Sequence, residues 1–227
     1  MAFEVIIFDF DGVIVESVGI KDQAFAMLFQ DHPQHLEEII TYHLSHNATI
    51  RFEKFRYITE NILQQKYTEA RAQELQKKYS QFVLTRIIQC PLVKGAEDFL
   101  THFSQVMPLF LASVNPAQEI EEILNKRNLK KFFKKIYAHP WLKKDAILEI
   151  LRDEDKSQNE AVFIGDSLED YHAAREAGVF FIGRDSGKSF IELPSSKQKE
   201  KLNNGAKILI YPDLKQIKQY LCQSQGS

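Results

Sequence analysis

The chain has 227 residues, 44% of them hydrophobic and 11% aromatic, enough for one large core or a core with a smaller inserted domain. Lys plus Arg number 29 against 31 for Asp plus Glu, and a net charge of −2 gives no global electrostatic reason to bind nucleic acid or a membrane surface. Cys90 and Cys222 stand far apart without metal spacing, no run reaches transmembrane length, and the apolar N-terminal run is too short for a signal sequence; a cytoplasmic protein without a disulfide framework is expected.

The first predicted element is a fully buried strand over Val5, Ile6, Ile7 and Phe8, a short apolar run rich in β-branched residues. It leads directly into Asp9-Phe10-Asp11-Gly12-Val13. An ionised carboxylate beside such a run is costly unless it is paired, hydrogen-bonded or metal-bound. In an extended chain residues i and i+2 share a face, so Asp9 and Asp11 are expected to converge, with Gly12 allowing a sharp turn and a close backbone approach. Two hard oxygen ligands at a strand end suit Mg²⁺; the alternative is a strand that merely ends in an acidic turn.

From Gly19 to Gln89 the periodicity becomes helical and stays so, carried by stripes such as Ile20, Ala24, Met27 and Leu28, or Leu75, Tyr79, Phe82 and Val83. Pro33 marks a break between the first two helices. His32, His35 and His43 fall in this stretch with no partner at ligand spacing, so a zinc site is not expected.

From Pro91 onward short apolar runs alternate with helices. Leu109 to Ala112 reads as a strand, and Asn115-Pro116 as the capped start of a helix. Ser113, with Val114 beside it, closes that strand; a hydroxyl and free backbone amides at a helix start make an anion site, although such a serine also serves as a simple turn. A strand at Lys135-Ile136-Tyr137 precedes Lys143 and Lys144, which open the next helix. Cations are disfavoured at that end of a helix, which adds weight to a phosphate-binding role for a lysine there. The basic run Lys126, Arg127, Lys130, Lys131, Lys134 and Lys135 carries no stacking platform and reads as a solvated face, not a nucleic-acid site.

Ala161 to Ile164 is the next strand, followed by Gly165-Asp166-Ser167-Leu168-Glu169-Asp170 and a helix from about Leu168 to Ala177 with Gly178 at its end. Asp166 is placed to complete the metal site begun by Asp9 and Asp11. Asp170 can ligate directly, hold a metal-bound water, or pair with a cation such as Lys143, and acids at a helix start are also explained by capping alone. A strand at Val179 to Ile182, a polar excursion from Ser186 to Asn204, a strand at Ile208 to Ile210 and a helix to about Leu221 close the chain. Strands alternating with helices imply an α/β fold: a doubly wound, mostly parallel sheet. Residues 1–17 and 91–227 form its core domain, and an α-helical cap domain over residues 18–90 is inserted after the first strand. Ligands in such sheets bind beyond the carboxyl ends of the strands.

Asp9-Phe10-Asp11-Gly12-Val13, Ser113, Lys143 and Gly165-Asp166-Ser167 with Asp170 together resemble, in their order, the haloacid dehalogenase superfamily of phosphohydrolases. The resemblance spans nearly the whole core, the inserted helices look like that superfamily's C1-type cap, and the branch most similar is that of phosphoglycolate phosphatase and β-phosphoglucomutase. It implies Asp9 as a nucleophile forming an aspartyl-phosphate, and Asp11 as general acid and then base. It also implies Mg²⁺ held by Asp9, Asp166 and the backbone carbonyl of Asp11 with Asp170 nearby, and the phosphoryl group bound by Ser113, Val114 and Lys143. Lys143 rather than Lys144 matches the family's spacing from Pro140. An acid at Asp11 argues for phosphate esters, because expelling a halide needs neither a proton donor nor a metal. The cap stretch His46 to Arg56 looks like that branch's substrate-facing segment, with His46 and Arg51 as specificity residues, or else as a cap-surface histidine and a solvated arginine. The implied activity is that of a phosphoric monoester hydrolase on a small phosphorylated metabolite, acting as a monomer or homodimer; a phosphomutase and a non-catalytic phospholigand-binding protein are the alternatives.

Overall fold

Val5, Ile6, Ile7 and Phe8 are all fully buried and form β1 (Val5–Phe8), the strand around which the sheet is arranged. A computed structural model of the chain describes residues 3–46, 49–187 and 208–225. Among them the chain separates into two compact units, one of Met1–Glu16 with Cys90–Ser227 and one of Ser17–Gln89.

Among the described residues the first unit is a parallel sheet of six strands with helices in its connections. Its strands are β1, β2 (Leu109–Pro116), β3 (Lys135–His139), β4 (Ala161–Gly165), β5 (Phe180–Arg184) and β6 (Leu209–Tyr211). The spatial order is β3-β2-β1-β4-β5-β6 and every pairing is parallel. β1 therefore lies where the chain reverses its direction of travel across the sheet, which in doubly wound folds is the place for a ligand. The register sets Phe8 opposite both Leu111 and Ile164, so the segments that follow β1, β2 and β4 leave the sheet side by side.

Alternation along β1 divides its side chains between the two faces of the sheet. Val5 and Ile7 join a cluster with Phe110, Phe163, Tyr171 and Ile147. Phe8 meets the rings of Phe99 and Phe133 at 5.4 and 6.1 Å. The connections of this unit include the helices α5 (Ala96–Phe103), α6 (Ala117–Lys126), α7 (Lys143–Asp153) and α8 (Leu168–Ala177). Ala146, Ile147, Ile150 and Leu151 of α7, and Tyr171, Ala174 and Ala177 of α8, belong to the same cluster as Val5 and Ile7. Asp9 follows β1 with the parity of that face.

The second unit holds α1 (Val18–Leu28), α2 (Leu36–Ser45), α3 (Arg51–Tyr57), a π-helical turn at Ile58–Ile62, and α4 (Glu69–Gln89). Phe25, Phe55 and Tyr79 pack ring to ring at its centre, with centroids 5.5 to 5.7 Å apart. Pro33 opens the short 3₁₀ turn Pro33–His35 between α1 and α2, where a fixed φ and a missing N–H are tolerated. Buried beside Phe25 is a polar chain: Lys54 Nζ donates to His43 Nδ1 at 3.2 Å, and His43 Nε2 lies 3.1 Å from Asp22 Oδ1. Burial pulls Lys54 down to about 8.

Helix α8 begins and ends where the sequence places it, with Gly178 in the left-handed region at φ 77°. The helix expected to start at Asn115-Pro116 begins instead at Ala117. β2 runs on to Pro116, which takes the N-cap position without a side-chain cap bond. The longer strand pairs with β3 through a register shift between Ala112 and Pro116, and that irregularity uses the residues that read as a helix entry. Residues 188–207, and with them most of the polar excursion from Ser186 to Asn204, lie outside the described residues. No helix among the described residues is long and apolar enough to cross a membrane.

Candidate active site

Asp9 leaves β1 at its carboxyl end, its backbone N–H donating to the Ile164 carbonyl at 2.9 Å, so the sheet ladder itself fixes the first residue of the loop. Asp166 leaves β4 beside it. The two carboxylates are 6% and 5% exposed, and Asp170, from the first turn of α8, is completely buried. Ligand oxygens of Asp9, Asp166 and Asp170 all lie within 4.8 Å of one another. Among the described residues this is the one group of three or more His, Cys, Asp or Glu side chains with the geometry to hold a metal ion.

Lys143, the first residue of α7, supplies the cation within the group. Its Nζ lies 2.5 Å from Asp170 Oδ1 and 3.0 Å from Asp9 Oδ1. A lysine is poorly placed at a helix start on dipole grounds, and here two carboxylates offset that cost. Burial works against its charge, yet Asp170 and Asp9 outweigh it and hold Lys143 above its usual range. Lys144 takes a different course, 3.5 Å from the exposed Glu176.

Asp170 is fully engaged. Its Oδ2 accepts from the backbone N–H of Asp166 at 3.2 Å, from that of Ser167 at 3.1 Å, and from the Ser167 hydroxyl at 2.7 Å. Ser167 Oγ in turn accepts from the Asp170 N–H at 3.2 Å, closing a reciprocal capping box at the start of α8. Capping and cation pairing, alternatives in the sequence, are thus both present: one oxygen caps the helix and the other meets Lys143. Gly165 gives this arrangement room, because a Cβ there would stand 2.3 Å from Asp170 Cβ.

Three ionised carboxylates and one ammonium leave two negative charges in a buried space, and the electrostatics reflect that. Burial, countered by Lys143 and reinforced by Asp170 and Asp11, pushes Asp9 up to about 7. Burial together with Asp170 and Asp9 also holds Asp166 well above the ordinary carboxylate range. A divalent cation with hard oxygen preference fits both the donor set and the charge, and Mg²⁺ is the metal such sets suit.

Asp11 takes a course that simple alternation does not describe. The chain turns at Gly12, whose φ is 71°, and the turn is tied by Gly12 N–H donating to the Val15 carbonyl at 2.9 Å. The Asp11 carboxylate stands outside the three-carboxylate group and accepts from Asn115 Nδ2 at 2.8 Å. Ser113, buried within β2 three residues before its end, accepts at Oγ from the Asn115 N–H at 3.2 Å, while Val114 beside it is exposed. Asn115 is legible in the sequence only as a helix-start residue; its partner is remote along the chain, and local pattern carries no signal for it.

A second residue that local pattern does not reveal is Arg184, at the end of β5. Its Nη1 donates to the Gly12 carbonyl and to Glu16 Oε2, both at 3.0 Å, its Nη2 to Glu16 Oε1 at 2.6 Å, and its Nε to the Pro212 carbonyl at 3.2 Å. It clamps the turn that carries Asp11. Of the cap residues, Arg51 opens α3 with its guanidinium over the rings of Phe52 and Tyr79 at 5.5 and 5.1 Å. His46 follows α2, exposed, with Nδ1 2.8 Å from the Tyr42 carbonyl. Asn47 and Ala48 lie outside the described residues. Several lysines of the basic run pair with acids, Lys130 with Glu121, Lys134 with Glu154 and Lys135 with Asp153.

Fold and site define a class: a doubly wound α/β protein with an acidic centre where its central strands end. The chain belongs to the haloacid dehalogenase-like hydrolase family, whose sequence profile matches residues 6–184. Similar solved structures agree in fold. A HAD-hydrolase from Bacillus subtilis, solved bound to magnesium, aligns with a TM-score of 0.70 at 18% identity over 98% of this chain and 100% of its own. A protein described as a phosphoglycolate phosphatase from Haemophilus somnus gives 0.74 at 16% identity, covering 96% and 97%. One described as a β-phosphoglucomutase from Thermotoga maritima gives 0.71 at 17%, covering 97% and 99%. No curated protein matches the chain in sequence.

Proposed function

We propose that this chain is a Mg²⁺-dependent phosphatase that hydrolyses a small phosphorylated metabolite through an aspartyl-phosphate on Asp9. The observation that carries the reading is the buried set of Asp9, Asp166 and Asp170 within 4.8 Å, with a single lysine, Lys143, bridging two of its members. Such a set has little use in a folded chain except to meet a cation and a phosphoryl group, since unpaired buried carboxylates are strongly destabilising.

In this reading an Asp9 oxygen attacks phosphorus and the bond from phosphorus to the leaving oxygen breaks, with Asp11 passing its proton to that oxygen. Asp11, now ionised, takes a proton from water as the water attacks the phosphorus of the aspartyl-phosphate. Asp9 is released as a carboxylate and inorganic phosphate departs. Ser113 and the backbone at Val114 bind the phosphoryl oxygens together with Lys143, while Asp170 holds Lys143 in place. Asp9, Asp166 and the Asp11 carbonyl would hold Mg²⁺, which when bound favours the ionised nucleophile and offsets phosphate charge. The family and the phosphatase likeness of its relatives support this reading; the second unit, with Arg51 and His46, is the candidate source of substrate choice.

The test is phosphate release from a panel of metabolite esters with and without Mg²⁺, run beside Asp9→Asn. Release should require Mg²⁺ and fall by at least on the order of 10³-fold in the variant, as loss of a nucleophile does elsewhere. Full turnover by Asp9→Asn would refute the covalent route. Isomerised sugar phosphate in place of free phosphate would make the chain a mutase, and silence across the panel would favour a binding role.

A further inference from the structure

We infer that Asn115 is the positioning residue for Asp11, holding the proton-donating carboxyl in register with the phosphate-binding end of β2; this rests on the phosphatase reading above. Asn115 is 9% exposed, and a carboxamide at that depth must find partners. Its Nδ2 donates to Asp11 Oδ2 at 2.8 Å, across 104 positions of sequence, while its own N–H donates to Ser113 Oγ at 3.2 Å. One residue thus ties the acid to the serine of the phosphate-binding stretch of β2.

The local backbone points the same way. The N-cap position of α6 falls on Pro116, one residue past Asn115, and its side chain makes no cap bond. β2 extends to Pro116 through the register shift against β3, and from this stretch the Asn115 amide nitrogen reaches the β1 loop. Asp11 itself follows a strand end and precedes the Gly12 turn, so no regular helix or strand orients its side chain. With Oδ2 bound to the amide, the plane of the carboxyl group is fixed and the proton is delivered from one orientation. A tilt of this plane costs nothing in binding and much in proton transfer, because alignment matters at the transition state alone.

That asymmetry gives the test. An alkyl phosphate has a poor leaving oxygen that must be protonated as it departs, whereas p-nitrophenolate leaves with little help. Asn115→Ala should lower kcat/KM, which reports only the steps up to departure of the leaving oxygen, by about 10- to 100-fold on glycerol phosphate or another alkyl ester that the wild type turns over. It should lower kcat/KM on p-nitrophenyl phosphate by less than about 3-fold, while kcat falls on both esters because Asp11 also serves the water attack that they share. Thermal unfolding establishes that the variant is folded; if Asn115→Ala is not, Asn115→Leu, close in volume and without a donor, is measured in its place and should show the same split. Equal losses of kcat/KM on both esters, or no loss on either, would overturn the role for Asn115 and leave the phosphatase reading standing. Asp9→Asn provides the separate control: if it keeps turnover of both esters, the covalent route through Asp9 falls, and the role of Asn115 with it.

Discussion

At the scale of single residues the site is governed by how little freedom Asp170 has. Four donors meet its two oxygens: the N–H groups of Asp166 and Ser167, the Ser167 hydroxyl and the Lys143 ammonium. A side chain so held cannot yield to a neighbour, and that makes Gly165 the most sensitive small residue nearby. An added Cβ would stand 2.3, 2.6 and 2.8 Å from Asp170 Cβ, Cγ and Oδ2. Gly165→Ala should therefore destabilise the protein by about 2 kcal/mol, within the range for overpacking a filled core. In a chain of this size that is a drop of roughly 4–8 °C in the unfolding midpoint. It should also lower kcat, since Lys143 loses its anchor. A variant with an unchanged melting curve and full turnover would show that α8 can slide away from β4 without cost.

At the scale of elements, the loop after β1 is held from two sides, by Asn115 at the end of β2 and by Arg184 at the end of β5. Arg184→Met keeps most of the volume of a buried side chain but strips its donors from the Gly12 carbonyl, from Glu16 and from the Pro212 carbonyl. Glu16 is 40% exposed, so the ion pair itself counts for little, and the main cost is the unmet carbonyl oxygens. A loss of about 1–2 kcal/mol by chemical denaturation is expected, together with faster amide exchange at Gly12 and Val13. Exchange unchanged at those amides would mean the turn is rigid without the clamp. What was legible in the sequence divides in the same way. β1, β4 and α8 could be placed because apolar runs, a capping residue and Gly178 are signals carried within a few residues. The convergence of Asp9 with Asp166 followed from strands of like register. The partners of Asn115 and Arg184 could not be read, because a side-chain bond between distant segments leaves no local trace. Asn-Pro also looks the same whether it opens a helix or ends an irregular strand.

At the scale of the whole molecule, the buried carboxylates couple stability to pH and to metal. Asp9 sits near 3.8 in an unfolded chain and is pushed up to about 7 in the folded one, chiefly by burial, so the folded state binds this proton more tightly. Its contribution to stability is present below about pH 4 and is lost as the pH rises through about 7; Asp166 shifts in the same direction and adds to the trend. A divalent ion binds the ionised form, so Mg²⁺ should raise the unfolding midpoint more at pH 8 than at pH 5. Melting curves in chelator and in excess Mg²⁺ at the two pH values measure this, and equal increments at both would contradict it.

The division of the chain carries one more consequence. β1 pairs only with strands that lie beyond the entire helical segment Ser17–Gln89, through Ile6 with Leu109 on one flank and with Val162 on the other. Closing loops of that length before any ladder bond is gained makes its docking entropically slow. On the ribosome, the aspartate that would react thus emerges ahead of both strands that flank it, and it waits for β2 and β4 to be made before it can be seated.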